Sequence, residues 1–405
     1  MTDYNEITTC VCCGSSELHP YLHLGNQPLA NSYHKGVTLR TYPLDVQYCK
    51  NCTHSMLTVS VNPSEMFEHY LYISDTSQTL TDYFQDLCDK ILDRNKGTKT
   101  PSVLEIACNS GLFLEMFKKK GCEVYGVDPA KNLRALSEAR GLEVAVAFWD
   151  LDEAARLSAA KLYDVVTAIH VFPHVPDPVA FLKACQCVLA PEGKIYIQTS
   201  QCDMFTNKEF DAVYHEHVSY FTAKSFGKIV ESLGMFVTGA WKAPIHSMSF
   251  VFEVSRFGAN CQEFIDMLRD EEASGMDKFE TLDKFASDVN EIKSQLISVC
   301  EEYRANGVKV VGYGASAKGN TLLNWMKIPL DYIVDDNELK WNYLTPGTNI
   351  PILNPTTLYK ENTPVAILCL AWNFFNEISG NVRKNTNVLH DYVQFFPEVK
   401  ICKGT

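Results

Sequence analysis

Val103-Leu104-Glu105-Ile106-Ala107-Cys108-Asn109-Ser110-Gly111 is a short apolar run that ends in small and polar residues. The apolar part reads as a first strand, and Asn109-Ser110-Gly111 as the turn into a helix beginning near Leu112. Val124-Tyr125-Gly126-Val127-Asp128 reads as a second strand with a carboxylate at its end, Asp128 standing seventeen positions after Gly111. That separation suits one helix and one strand. A Rossmann-like unit holds a nucleoside at the carboxyl ends of its strands, where a glycine lets the backbone approach and a carboxylate takes the ribose hydroxyls. Gly111 and Asp128 are the expected occupants of those two roles.

The turn is not the dinucleotide fingerprint GxGxxG. Glu105 to Gly111 follows the E/DxGxxxG style of S-adenosylmethionine enzymes, with Ala107 replacing the first glycine. Glu105, Ala107, Asn109, Gly111 and Asp128 are therefore the expected cofactor-binding residues. Tyr163-Asp164-Val165-Val166-Thr167-Ala168-Ile169 is a third strand candidate, and Gly193-Lys194-Ile195-Tyr196-Ile197-Gln198-Thr199 a later one after the turn at Pro191-Glu192-Gly193. Together with His174-Val175-Pro176-Asp177-Pro178 they strengthen the methyltransferase reading. Short apolar runs alternating with amphipathic stretches predict βα units and a mostly parallel sheet.

Working outward, Leu282, Phe285, Val289, Ile292, Leu296 and Val299 recur at three- and four-residue steps, which marks one face of an amphipathic helix bridging two domains. Beyond it, Val308 to Ala315 reads as a strand entering a glycine turn, and Leu330 to Asp336 as a following strand with acidic residues at its end. The expected class is α/β, with a zinc-binding segment over 1–72 and a Rossmann-like S-adenosylmethionine domain over 73–255. A helical connector over 256–305 and a C-terminal Rossmann-like domain over 306–405 complete the division.

Near the N-terminus, Cys10-Val11-Cys12-Cys13-Gly14 and Cys49-Lys50-Asn51-Cys52 form two CxxC knuckles, the pattern of a four-thiolate zinc site. Cys10, Cys13, Cys49 and Cys52 are the expected ligands. Cys12 is an alternative member of the first pair, but the glycine after Cys13 favours Cys13 as the turn-closing residue. Such a zinc, with no open ligand position, is structural. Of the fifteen cysteines, Cys88, Cys108, Cys122, Cys185, Cys300 and Cys369 sit singly in apolar segments and read as small buried hydrophobes.

The 405 residues exceed what one core organises, and 46% apolar with 21% charged residues is the balance of an ordinary globular protein. A net charge of −13 and the lack of Lys/Arg runs argue against a nucleic-acid partner. No segment approaches the roughly 20 apolar residues that span a bilayer, and the N-terminus lacks a signal-peptide pattern, so a cytoplasmic location is expected. Monomer and homodimer both stay open.

Tyr214-His215-Glu216-His217 is the densest cluster of acid-base side chains. Such a set can take a proton from a carbon beside a carbonyl while another member donates to the developing enolate. A second metal site and a bland packing cluster are the alternatives.

Over nearly its whole length the chain resembles the bacterial nucleotide-sugar C-methyltransferases that make branched deoxysugars. The blocks that carry the resemblance are CVCCG with Leu24-Gly25-Asn26-Gln27-Pro28-Leu29, the second CxxC, LEIACNSG, YHEHVSYF, GYGASAKGNTLLN, LTPGTNIPI, CLAWNF and FFPEVKI. The resemblance implies methylation at C3 of a 4-keto-6-deoxyhexose on a nucleoside diphosphate, with His217 as base, Tyr214 and Glu216 on the same motif, and Tyr72 and His174 lining the sugar pocket. Tyr313, Lys318, Asn320 and His246 are the expected substrate-binding residues, Lys318 reaching the diphosphate at a helix N-terminus. The chain departs from the family at Ser247 and Met248, where a His-Gly-Gly turn followed by Arg is usual, and His215 stands where the family often has an acidic residue. O- or N-methylation of a nucleotide-sugar, and a non-catalytic binding protein, are the rival readings.

Overall fold

The computed structural model describes residues 4–70, 73, 78–97, 100–245 and 247–404. Two of the expected site residues, Tyr72 and His246, lie outside the described residues. The CxxC knuckles are held by a small antiparallel scaffold. β1 (Tyr4–Glu6) pairs with β5 (Val59–Val61), while β2 (Leu18–Gln27), β3 (Tyr42–Cys49) and β4 (Ser55–Leu57) form a meander. A short α1 (Pro63–Phe67), capped by the Asn62 side chain, and α2 (Gln78–Arg94) lead into the central sheet.

That sheet grows from β6 (Ser102–Ile106), α3 (Leu112–Lys119), β7 (Glu123–Val127), α4 (Arg134–Ala139), β8 (Val144–Ala145), α5 (Leu151–Ser158), β9 (Tyr163–Ile169), α6 (Pro178–Val188) and β10 (Leu189–Thr199). Successive side chains of a strand point to opposite faces. Val103 and Val165 accordingly pack with α2 and α3, and Leu104, Ile106 and Val166 pack on the opposite side with α5 and α6. Burial on both faces explains why these strands read as unbroken apolar runs. The expected turn at Pro191-Glu192-Gly193 is instead an irregularity inside β10, between Leu189 and Lys194.

Past β10 the chain makes β11 (Ser219–Tyr220), α7 (Ala223–Ser232), β12 (Phe236–Ala243) and β13 (Ser249–Ser255). The central sheet has the order β12-β13-β10-β9-β6-β7-β8, with β13 antiparallel to both neighbours. β11 leaves it and pairs with β4, so the sheet beside the cysteines takes its edge strand from the YHEHVSYF block.

After α8 (Gln262–Ala273), the 27-residue α9 (Phe279–Ala305) buries Leu282, Phe285, Val289, Ile292 and Leu296 as its spacing predicts, with Cys300 rather than Val299 closing the stripe. It packs on Leu22 and Leu24 of β2 at one end and Val310 at the other. A fully buried side chain of this kind stabilises by roughly 1.5–3 kcal/mol. The C-terminal half follows with β14 (Val310–Tyr313), α10 (Ala317–Met326), β15 (Ile333–Val334), β16 (Ile352–Leu353), α11 (Thr356–Tyr359), β17 (Ala366–Cys369), α12 (Phe375–Asn385), β18 (Asp391–Gln394) and β19 (Lys400–Cys402). Its order is β16-β15-β14-β17-β18-β19, parallel except for β19. The carboxyl ends of the two parallel sheets border one shared cavity, lined from one by Ala107 and His170 and from the other by Ser316 and Ala371. Among the described residues no helix is long and apolar enough to cross a membrane.

Candidate active site

The cavity measures about 440 Å³. On its first wall the chain leaves β6 through Ala107 (φ 58°) and Asn109 (φ 51°), both in the left-handed region that costs a side-chain-bearing residue. The Asp128 carboxylate fixes this bend: Oδ2 accepts from the Asn109 amide and Oδ1 from the Ala130 amide, each at 2.8 Å. Burial pushes its pKa up to about 6 against those donors. Glu105 is buried beside it, with Oε2 lacking a hydrogen-bond partner among the described residues, and burial and then Asp128 push its carboxyl well up. A desolvated carboxyl with one oxygen unpartnered among the described residues suits a ligand's cationic group, and a carboxylate at the second strand end suits ribose hydroxyls. These residues fit S-adenosylmethionine.

Gly111 has a different job from the one expected. It does not line the cavity. It caps α3 at φ 81°, and a Cβ there would sit 2.4 Å from Leu142 Cδ1, so the glycine serves helix entry and packing.

On the second wall, a 3-10 turn (Phe210–Ala212) delivers the chain to Tyr214-His215-Glu216-His217, a turn closed by the His217 amide on the Tyr214 carbonyl at 2.8 Å. The four side chains diverge. Tyr214 and His217 face the cavity, the phenol oxygen 3.0 Å from His217 Nε2. His217 Nδ1 lies 2.7 Å from the Ala212 carbonyl. His174 stands beside it, ring centroids 4.9 Å apart, with Nδ1 2.6 Å from the Glu216 carbonyl. Burial holds His174 below the ordinary imidazole value.

Glu216 does not line the cavity. Its side chain turns to the N-terminal region, accepting from Asn31 Nδ2 at 2.6 Å and the Tyr70 hydroxyl at 3.3 Å, and burial pushes it up to about 7. His215 also points away, its Nε2 against the Tyr42 and Pro43 carbonyls and its pKa pushed down to about 4 by burial. The alternative of a metal shared by His215 and His217 therefore fails on geometry.

The third wall belongs to the C-terminal half. Lys318, in the first turn of α10, lies over the Trp372 ring at 4.8 Å and 3.8 Å from Glu209 Oε2. Trp372 Nε1 donates to Asp211 at 2.7 Å. Two other expected substrate contacts lie elsewhere. Tyr313 is buried across β14, its hydroxyl donating to Asp336, and Asn320 is buried with Nδ2 donating to the Ala30 carbonyl at 2.7 Å. Both serve packing between segments. At the family departure, Ser247 adopts φ 77° and its hydroxyl donates to Glu209 Oε1 at 2.6 Å.

Away from the cavity, each knuckle closes on itself: the Gly14 amide reaches the Cys10 carbonyl and the Thr53 amide the Cys49 carbonyl. The sulfurs of Cys10, Cys13, Cys49 and Cys52 all lie within 4.8 Å of one another, with Cys10–Cys52 at 3.5 Å and Cys13–Cys49 at 3.6 Å. Tetrahedral thiolates at ~2.3 Å from zinc stand about 3.8 Å apart. The four thiols fit the ion, and Cys12 is buried outside the set.

Three family models match in order along the chain: "Putative zinc binding domain" over 10–67, "Methyltransferase domain" over 78–238 and "C-methyltransferase C-terminal domain" over 247–397. The C-methyltransferase NovU of Streptomyces niveus is 29% identical over 412 residues, covering 98% of this chain and 97% of that protein. Over nearly its whole length the chain is similar to C-methyltransferases. It is an S-adenosylmethionine-dependent enzyme with a zinc-binding N-terminal domain. Ubiquinone biosynthesis O-methyltransferase of Sodalis glossinidius (strain morsitans) is 31% identical over 115 residues, 27% of this chain and 46% of that one. The plantazolicin methyltransferase BpumL structure aligns at 16% identity with a TM-score of 0.36, covering 45% of this chain and 88% of that one.

The enzyme carries cavity residues that sequence reasoning missed: Gln201, Trp372 and Phe374. Gln201 follows β10, and ligands of parallel sheets gather at strand carboxyl ends, so its position was a usable signal. Trp372 and Phe374 lay within CLAWNF, but their exposure to the cavity depends on how the two halves pack.

Proposed function

We propose that the enzyme methylates C3 of a nucleoside-diphosphate 4-keto-6-deoxy sugar through an enolate generated by His217. The observation that carries this reading is the 3.0 Å pairing of His217 Nε2 with the Tyr214 hydroxyl in the cavity that Asp128 and Glu105 also line. Nδ1 faces the Ala212 carbonyl and so bears the ring hydrogen, which leaves the lone pair on Nε2. Without substrate, Tyr214 caps that lone pair. A substrate C3–H takes its place, and the freed hydroxyl donates to the ketone oxygen as charge develops there. His174 supports a different contact: with Nδ1–H on the Glu216 carbonyl and the ring neutral, its Nε2 accepts from a sugar hydroxyl rather than donating to the enolate. Lys318 and the α10 N-terminus take the diphosphate. S-adenosylmethionine, when bound, supplies an electrophilic methyl group; Glu105 and Asp128 would hold it.

The test is a panel of 4-keto-6-deoxy sugar nucleotides offered with a labelled methyl donor. The expected product carries its methyl on carbon by NMR, and a methyl on oxygen or nitrogen overturns the reading. His217→Asn should lose ~10²–10⁴-fold in turnover while still binding both ligands. With S-adenosylhomocysteine bound, wild type should exchange the substrate's alpha proton with deuterated solvent and the variant should not; equal exchange would assign the base elsewhere.

A further inference from the structure

The ring of His217 meets one polar side chain besides Tyr214 on the cavity wall, that of Gln201. Gln201 follows β10 with φ 75°, a left-handed backbone that a glutamine adopts only where the surroundings impose it. Its side chain is buried on the cavity wall, and its amide Nε2 stands 2.5 Å from His217 Nδ1. That nitrogen is already the hydrogen-bearing one, because the Ala212 carbonyl lies 2.7 Å away. Two donors cannot share this contact. Gln201 Oε1, meanwhile, is buried without a partner among the described residues. Turning the amide over, a choice set by hydrogen bonding rather than shape, resolves both conflicts: Oε1 accepts from Nδ1–H alongside the Ala212 carbonyl.

From this geometry we infer that Gln201 is a positioning residue for the proton-transfer step, its amide oxygen fixing the Nδ1–H tautomer of His217 and supporting the imidazolium formed when Nε2 takes the substrate proton. The inference rests on His217 being the base. Gln201 touches neither the reacting carbon nor the methyl group in this role; it acts through the ring. The proton moves from substrate carbon to Nε2, Nδ1 keeps its own, and the two acceptor oxygens stabilise the positive charge that the imidazolium ring carries.

The sign of the effect follows. A stronger acceptor at position 201 favours the imidazolium, so the neutral base appears only at higher pH and the acid limb of the kcat profile moves up. A non-acceptor does the reverse and lowers the plateau. The experiment is the pH profile of kcat, with the full-length zinc-loaded enzyme, for wild type, Gln201→Glu, Gln201→Met and His217→Asn. Cofactor affinity is measured for each to certify the fold. The expected result is a shift of about one pH unit upward for Gln201→Glu and downward for Gln201→Met, with kcat at the plateau falling roughly tenfold in Gln201→Met and KM within a few-fold. Limbs that stay at the wild-type pH, or move the same way in both, overturn the role of Gln201 while a collapsed His217→Asn leaves the base assignment standing. A His217→Asn that keeps turnover overturns both. Should Gln201→Met fail to fold, the upward shift in Gln201→Glu alone decides.

Discussion

The two parallel sheets build the same bend twice and use it differently. In the central sheet the first residue past β6 is Ala107, whose amide donates to the Val127 carbonyl at 2.7 Å; past β14 it is Gly314, whose amide donates to the Val334 carbonyl at 2.8 Å. In both, the carboxylate ending the next strand accepts a turn amide, Asp128 from Asn109 and Asp335 from Ala315. The difference is what lies above. Asp128 borders the cavity, whereas Asp335 is met by Lys340 Nζ at 3.3 Å, which also donates to the Ala315 carbonyl, and Tyr33 of the N-terminal segment donates to that carbonyl at 2.6 Å. The carboxylate at the C-terminal bend is thus engaged by its own chain, while Asp128 borders the cavity.

Substitution of each carboxylate is the sharpest way to break the comparison. Asp128→Ala should weaken S-adenosylmethionine binding by roughly ten- to a hundredfold, the worth of a hydrogen bond to a charged group, with the fold retained. Asp335→Ala should leave that affinity unchanged in the same calorimetric titration. Equal losses would mean that both carboxylates serve one ligand.

The two lysines separate function from structure next. Lys340→Met strands the buried Asp335 charge and should lower stability by roughly 1–3 kcal/mol in a denaturant melt. Lys318→Met should leave the melt near wild type and raise KM for the proposed nucleotide-sugar. If Lys318→Met instead destabilises as much as Lys340→Met, the open half of the comparison is also a packed one.

Acid titration gives a smaller effect with a definite sign. Asp128 titrates at about 6 in the folded chain, above its ordinary value near 4. Between those values the folded chain holds a proton that the unfolded chain has released, so its contribution to stability falls as pH rises through about 4 to 6 and levels off above. With the cofactor held by Asp128 as proposed, binding needs the ionised carboxylate, so cofactor affinity should weaken by up to tenfold per unit below about pH 6, and Asp128→Asn should abolish that dependence. An identical pH profile in the variant would assign the titration to another group.

Ala107→Gly tests the smallest difference, the residue type at the shared bend. Relief of the left-handed penalty, ~1–2 kcal/mol, is opposed by the greater freedom of glycine in the unfolded chain. Thermal unfolding should show a net change below about 1 kcal/mol. Gly314 has no such tolerance, since a Cβ there would stand 2.4 Å from Ala371 Cβ.

Much was legible in the residues themselves. The strands at β6, β7, β9 and β14, the α9 stripe, Asp128 at a strand end and the four zinc thiols all follow from patterns within a few dozen residues, because hydrophobic period, turn chemistry and ligand spacing are local properties. The edge strand β12 and its neighbour β13 were not legible, since β13 inserts between β12 and β10, a strand distant in sequence. YHEH shows the boundary most clearly. Its spacing announces acid-base chemistry, but nothing in it says that His217 and Tyr214 face the cavity while His215 and Glu216 face the N-terminal region. That division is made by Tyr42, Asn31 and Tyr70 on one side and Ala212 and Gln201 on the other, and by β11 joining the sheet that starts beside the cysteines. The sequence by itself determined two nucleotide-type sheets, a zinc knuckle pair and the supply of candidate groups. Only the tertiary structure decided which carboxylate borders the cavity, which histidines face it and which glutamine meets the His217 ring, because burial and hydrogen-bond partnership are set by residues that meet only after the chain has folded.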